Sequence, residues 1–71
     1  MRVRIDQKSD ALYLFLADRP VMESAEVADG IIVDYDADGH MVGIELLDAS
    51  KKSNDATVLK TFSFESPRVA E

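Results

Sequence analysis

A chain of 71 residues, 46% hydrophobic and 31% charged, makes one domain near the lower size at which proteins fold alone, and is too apolar to be disordered as a whole. It has no cysteine, which excludes a disulfide framework, a thiolate zinc site and a thiol nucleophile. Fourteen acidic against 8 basic residues, a net charge of −6, argue against nucleic-acid and anionic-membrane binding.

The N-terminal MRVRID lacks the apolar run of a secretion signal, and the longest apolar stretch, ALYLFLA, is far below the roughly 18 residues that span a bilayer. The expectation is a cytoplasmic, soluble protein. The basic candidates for a nucleic-acid patch, Arg2 with Arg4 and Lys51 with Lys52, have no interleaved aromatics and read as solvated charge.

In RVRID, Val3 and Ile5 alternate with Arg2, Arg4 and Asp6, the pattern of a half-buried strand at a sheet edge. QKSD supplies turn chemistry. ALYLFLA is apolar on both faces and too short for a well-supported helix, although Ser9 could cap one; it reads as a central strand with Leu12, Leu14 and Leu16 on one face and Tyr13 and Phe15 on the other. Pro20 closes it. A short irregular strand is expected over 23–27, ending at Asp29-Gly30.

The next stretch, DYDADGHMVGIE, fits the calcium-loop pattern D-x-[DN]-x-[DN]-G-x5-E through Asp34, Asp36, Asp38, Gly39 and Glu45. An EF-hand also needs a helix on each side, and GIIVDY and MVGIELL instead alternate with period two and are rich in β-branched residues. The better reading is a hairpin of strands over 31–36 and 41–47, with no metal site; Asp34, Asp36, Asp38 and Glu45 are the calcium candidates should one exist.

Register follows from patterning, since a slip of one residue reverses every side chain. A two-residue turn at Asp38-Gly39 sets Ala37 opposite His40 and Asp34 opposite Gly43, gathers Val33, Tyr35, Val42, Ile44 and Leu46 on one face, and sends Asp34, Asp36 and Glu45 to the other. A three-residue loop would mix the two sets. Gly43, inside a strand, marks a bulge or a close backbone approach.

After Asp48, ASKKSND reads as a loop or one helical turn. TVLKTFSFE reads as a sixth strand with Val58, Phe62 and Phe64 on a face, or else as a short helix. The fold expected is mainly β: a small antiparallel sheet of five to six strands, curled or closed as a sandwich, with at most a short helical segment, and α+β as the alternative. Residues 1–66 form the domain, and 67–71 a frayed tail after Pro67.

RID-QKSDALYLFLAD and VADGIIVDYDADGHMVGIELLDASK, with the spacing between them, resemble the family of small prokaryotic proteins termed domain of unknown function 2283. The likeness covers residues 1–52; Ile5 stands where many members carry an aromatic before the Asp, and TVLKTFSFESPRVAE follows no family pattern. The resemblance implies a compact, mostly β domain. It brings no functional residues, and the toxin-like neighbours of some relatives imply an antitoxin or partner-binding role.

His40 is the one histidine and flanks an exposed turn, and none of the serines sits in a strand-turn-helix elbow, so no nucleophile and base converge. The three glycines form no phosphate loop. The sequence therefore assigns no catalytic and no cofactor-binding residue. It favours a protein-interaction module over an enzyme, with a homodimer or a basic protein as partner. A small hydrolase or ion-binding domain using Asp34, Asp36 and Glu45 is the alternative.

Overall fold

The computed structural model describes residues 1–68. Five strands, β1 (Arg2–Asp6), β2 (Ala11–Phe15), β3 (Glu23–Ala28), β4 (Ile31–Tyr35) and β5 (Met41–Leu46), precede a five-residue helix, α1 (Ala49–Ser53). They form one sheet in the order β1-β2-β5-β4-β3, every neighbouring pair antiparallel. The fold is mainly β, as its alternating runs predict. The sheet is open within the chain, with β1 and β3 as edges, rather than closed as a sandwich or barrel.

Directly paired residues of antiparallel strands share a face. On one face the ladder builds the row Val3, Leu14, Ile44, Val33, Ala25 and, beside it, the row Ile5, Leu12, Leu46, Ile31, Ala28. All ten are aliphatic. The opposite face carries Arg4, Tyr13, Glu45, Ile32 and Glu26 in one row and Arg2, Phe15, Gly43, Asp34 and Ser24 in the other. The central strand β2 thus divides its leucines from its aromatics as the sequence requires.

The β4–β5 hairpin keeps the predicted register along its body, with Asp34 opposite Gly43 and Val33 opposite Ile44. Its tip differs. Asp36 pairs with His40, whose carbonyl accepts the Asp36 N–H at 2.9 Å, and the loop has three residues, with Gly39 at φ +80° donating to the Asp36 carbonyl at 3.1 Å. Tyr35 faces Met41 instead of Val42, and a bulge at Val42 restores the register beyond it. Two forces select this tip: the Asp36 carboxylate accepts the amides of Asp38 and His40, and the buried Val42 turns its carbonyl to the N–H groups of Leu16 and Ala17 at 2.9 and 3.3 Å.

The sixth strand expected over TVLKTFSFE is absent among the described residues. Asp55 captures the Thr57 amide and hydroxyl at 2.9 and 2.8 Å, and the main chain closes into successive turns through Val58 N–H to Asp55 and Lys60 N–H to Thr57. Those turns bury Leu59. Phe62 and Phe64, expected to line a sheet face, instead meet edge to face with ring centroids 5.6 Å apart and are 64% and 72% exposed. The expected frayed tail, 67–71, lies outside the described residues from 69 onward.

Among the described residues, cover lies at the two ends of the sheet: the β2–β3 connection is bonded across the hairpin tip, where Val42 and Asp36 are buried, and α1 stands at the other end. The α1 N-terminus is held at the β1–β2 turn, where Ala49 N–H donates to the Asp10 carbonyl and the Asp10 carboxylate accepts the Ser50 amide and hydroxyl at 3.0 and 2.7 Å. Gln7 donates to the Leu59 carbonyl at the same end. The buried hydrophobic residues are Val33, Val42, Ala49 and Leu59, and no large side chain is fully buried among the described residues. β2 is half-exposed on both faces along its whole length.

Candidate functional site

The polar face is spanned by one continuous line of side chains. Arg2 on the β1 edge sets its guanidinium 4.1 Å from the Phe15 ring centroid, in cation–π range. Phe15 lies against Tyr13, two residues back on the same face, with centroids 4.4 Å apart. Tyr13 then crosses β5 and donates its hydroxyl to Asp34 on β4, and Asp34 accepts a second hydrogen bond, 2.6 Å, from Ser24 on the β3 edge. Five side chains from four strands span the sheet, passing over the fifth strand, β5.

Gly43 makes the crossing possible. A Cβ there would lie 2.7 Å from the tyrosine Cζ, closer than carbon atoms approach, so only glycine leaves the phenol a path to Asp34. The close backbone approach expected at this position is found. The hydrogen bond to the Asp34 carboxylate, aided by partial burial and by the negative charges of Asp34 and Glu45, holds the Tyr13 hydroxyl protonated and pushes its pKa from 10.0 up to about 12. Such a phenol is a fixed donor, ill suited to act as a base near neutral pH.

A second cluster sits at the hairpin tip. Asp36 is 8% exposed, where the predicted hairpin had it in solvent beside Asp34 and Glu45. One of its oxygens accepts the amides of Asp38 and His40, and the other accepts Arg19 Nε at 2.7 Å. These bonds, the His40 amide first, hold the Asp36 carboxyl below the usual carboxylate range against the opposing effect of its burial. Arg19 belongs to the connection from β2 to β3, so this contact ties the crossover to the hairpin it passes. Met22 N–H, donating to the Tyr35 carbonyl at 2.8 Å, is a second tie.

The calcium candidates are therefore divided. Asp34 belongs to the Tyr13–Ser24 line, Glu45 to the row beside it, and Asp36 and Asp38 to the loop. The group whose ligand atoms fall within 4.8 Å of one another is Asp36, Asp38 and His40, with His40 Nδ1 3.9 Å from Asp36 Oδ2. Strands flank the loop where an EF-hand has helices. Tyr13, Ser24, Arg2 and Arg19 were not singled out by the sequence as site residues. The signals were a tyrosine hydroxyl inside a leucine run and a glycine inside a strand, but pairing them requires knowing that β5 lies between β2 and β4.

The family model described as "Protein of unknown function (DUF2283)" matches residues 2–50. The chain belongs to this family. The DUF2283 match takes in all five strands, the line from Arg2 to Ser24 and the Asp36 loop, and stops inside α1, leaving the 56–60 turns and the segment after them outside it. No curated protein and no solved structure matches the chain.

Proposed function

We propose that this domain is a protein-interaction module, a sheet that completes its core against a partner. The observation that carries this reading is that one face of the sheet carries two adjacent rows of aliphatic side chains, ten residues of which only Val33 is buried by the chain's own described residues. The accessible surface is 5747 Å² for 7.9 kDa, where about 4400 Å² is usual for a monomeric protein of that mass. The half-exposed sheet and the exposed 61–68 segment both contribute. The radius of gyration, 13.9 Å against about 11 Å for a compact domain of this length, describes the same flat shape.

Two partners fit the two faces. A second copy of the chain suits the aliphatic face. A basic protein suits the other, where Asp34, Glu45 and Glu26 outnumber Arg2 and Arg4 and where a net charge of −6 would speed encounter, which is the form an antitoxin-like role in the cytoplasm takes. Catalysis or ion binding by Asp34, Asp36 and Glu45 is the weaker reading, because Asp34 and Asp36 are each already satisfied by fixed donors. Affinity capture from the native host with mass spectrometry tests the module reading: a stoichiometric protein, this chain or another, is expected, and recovery of a lone monomer counts against it.

A further inference from the structure

We propose that the aliphatic face is the contact surface of an isologous dimer, two copies of this chain closing face to face so that two five-stranded sheets make a sandwich. This rests on the interaction-module reading and names its partner.

Electrostatics select the face. Each copy carries a net charge of −6, so two copies approach only where carboxylates are not brought together. The two aliphatic rows hold no charged or polar side chain, whereas the opposite face presents Glu26, Asp34 and Glu45 together with Arg2 and Arg4, charges that a face-to-face contact there would have to desolvate. A charged heterologous partner has no purchase on the aliphatic rows. The opposite face carries its own side-chain line, Arg2 lying on Phe15 and Phe15 against Tyr13; the aliphatic rows, half-exposed apart from the buried Val33 and the exposed Ala25 and Ala28 on β3, carry none.

Area is compatible with this choice. Five strands about 4.8 Å apart and five residues about 3.3 Å apart give a face on the order of 24 by 17 Å, about half of the roughly 800 Å² per partner of a standard interface before side-chain relief is added. The chain's own described cover stands at the ends of the sheet, α1 and the turn holding Leu59 at the β1–β2 turn and the 16–22 connection at the hairpin tip, while Phe62 and Phe64 stand exposed. Sheets packed in this way lie about 10 Å apart, the spacing that interdigitated aliphatic side chains fill.

The geometry makes one residue diagnostic. β5 is the middle strand of five, and Ile44 is the middle residue of its aliphatic row. A two-fold axis lying in the interface through its centre, in whichever direction, brings Ile44 against Ile44 of the other copy. Ile32, on the neighbouring strand, points to the opposite face and is held away from its symmetry mate by both sheets.

Because the chain has no cysteine, Ile44→Cys and Ile32→Cys each introduce a unique thiol. Sedimentation equilibrium of the full chain should give twice 7.9 kDa at micromolar concentration, mild oxidation should link Ile44→Cys into a covalent dimer much faster than Ile32→Cys, and Leu14→Lys should return the mass to 7.9 kDa. A charge at Leu14 can also unfold the chain, so the decision lies with the two cysteine variants, scored on protein with parental circular dichroism. A dimer linked as fast through Ile32→Cys overturns the face assignment and leaves the module reading standing. A 7.9 kDa monomer at every concentration overturns self-pairing. If the Ile44→Cys thiol of that monomer is labelled by a maleimide as fast in host extract as in buffer, the module reading falls with it.

Discussion

Tyr13 donates its phenolic hydrogen to Asp34 across an intervening strand, passing over the bare backbone of Gly43. Gly43→Ala places a methyl group where the tyrosine ring lies, so the ring must swing away and abandon Asp34. The cost expected is about 1–3 kcal/mol, the usual range for overpacking a fitted contact. Chemical denaturation measures it, and a midpoint unchanged from the parent would mean the tyrosine relocates freely.

The same bond predicts an alkaline limb. Tyr13 ionises at about 12 in the folded chain against 10.0 for a free tyrosine, so its contribution to stability is complete below about pH 10 and is lost as pH rises from there through 12. Absorbance titration of tyrosinate in a Tyr35→Phe background isolates the group. Asp34→Asn removes the charged acceptor and should bring the inflection back toward 10; an inflection near 10 in the Tyr35→Phe protein itself would show that the bond does not form in solution.

Asp36 governs the opposite limb. Its folded pKa is depressed, chiefly by the His40 amide and then by Arg19 and the Asp38 amide, so its contribution is present above the ordinary aspartate value of about 4 and disappears as pH falls through the lower folded one. Asp36→Asn should be less stable than the parent at neutral pH, with the difference shrinking in acid. Thermal midpoints against pH decide this. A difference constant across the acid range would mean the charge of Asp36 is not what holds the loop.

Much of this architecture is legible from alternation. The runs around Val3, Leu14, Val33 and Ile44 announce strands, and the faces they require fix Asp34 opposite Gly43, because any slip would bury carboxylates. The hairpin tip was not legible, since two local choices there cancel: the Asp36 carboxylate draws in three loop residues, and the Val42 bulge puts the register back. The bulge answers to the Leu16 and Ala17 amides, which sequence proximity does not bring near. Over TVLKTFSFE the β propensity of the side chains was outweighed by Asp55, whose carboxylate organises a turn before any strand partner is reached. For the candidate site the residue types were visible, but the strand order that brings Tyr13 to Asp34 belongs to topology.

Asp10 predicts a stability effect far from its place in sequence. It caps α1 from the β1–β2 turn, accepting the Ser50 amide and hydroxyl, and it does so from a left-handed conformation, φ 55°. Asp10→Ala loses the cap and strains the backbone, so a cost of about 0.5–2 kcal/mol is expected, whereas Asp10→Asn keeps an acceptor and tolerates the conformation. Denaturation midpoints should rank parent, Asn and Ala in that order, with faster amide exchange at Ser50 in the alanine variant. Equal midpoints would show that α1 is held by other contacts.

Whether the calcium-loop pattern of Asp34 to Glu45 has a calcium-binding counterpart in the fold can be answered by titration. A calcium loop curls its carboxylates inward around one ion between two helices. Here β4 and β5 flank the loop, Asp34 and Glu45 belong to the polar face, and Asp34 is engaged by the Tyr13 and Ser24 hydroxyls. Asp36 comes within 4.8 Å of Asp38 and His40, yet a cation there must displace Arg19, 2.7 Å from one oxygen, and the two amides on the other, which hold the loop closed. Calorimetric titration should therefore show no saturable calcium binding tighter than about 1 mM, the weak end for calcium modules. Micromolar binding lost on Glu45→Gln would require the hairpin to reopen into the twelve-residue chelate, and binding lost on Asp38→Asn but kept in Glu45→Gln would place the ion at the hairpin tip. Either result would overturn the view that the acidic spacing arises from an alternating polar face joined to a tight turn.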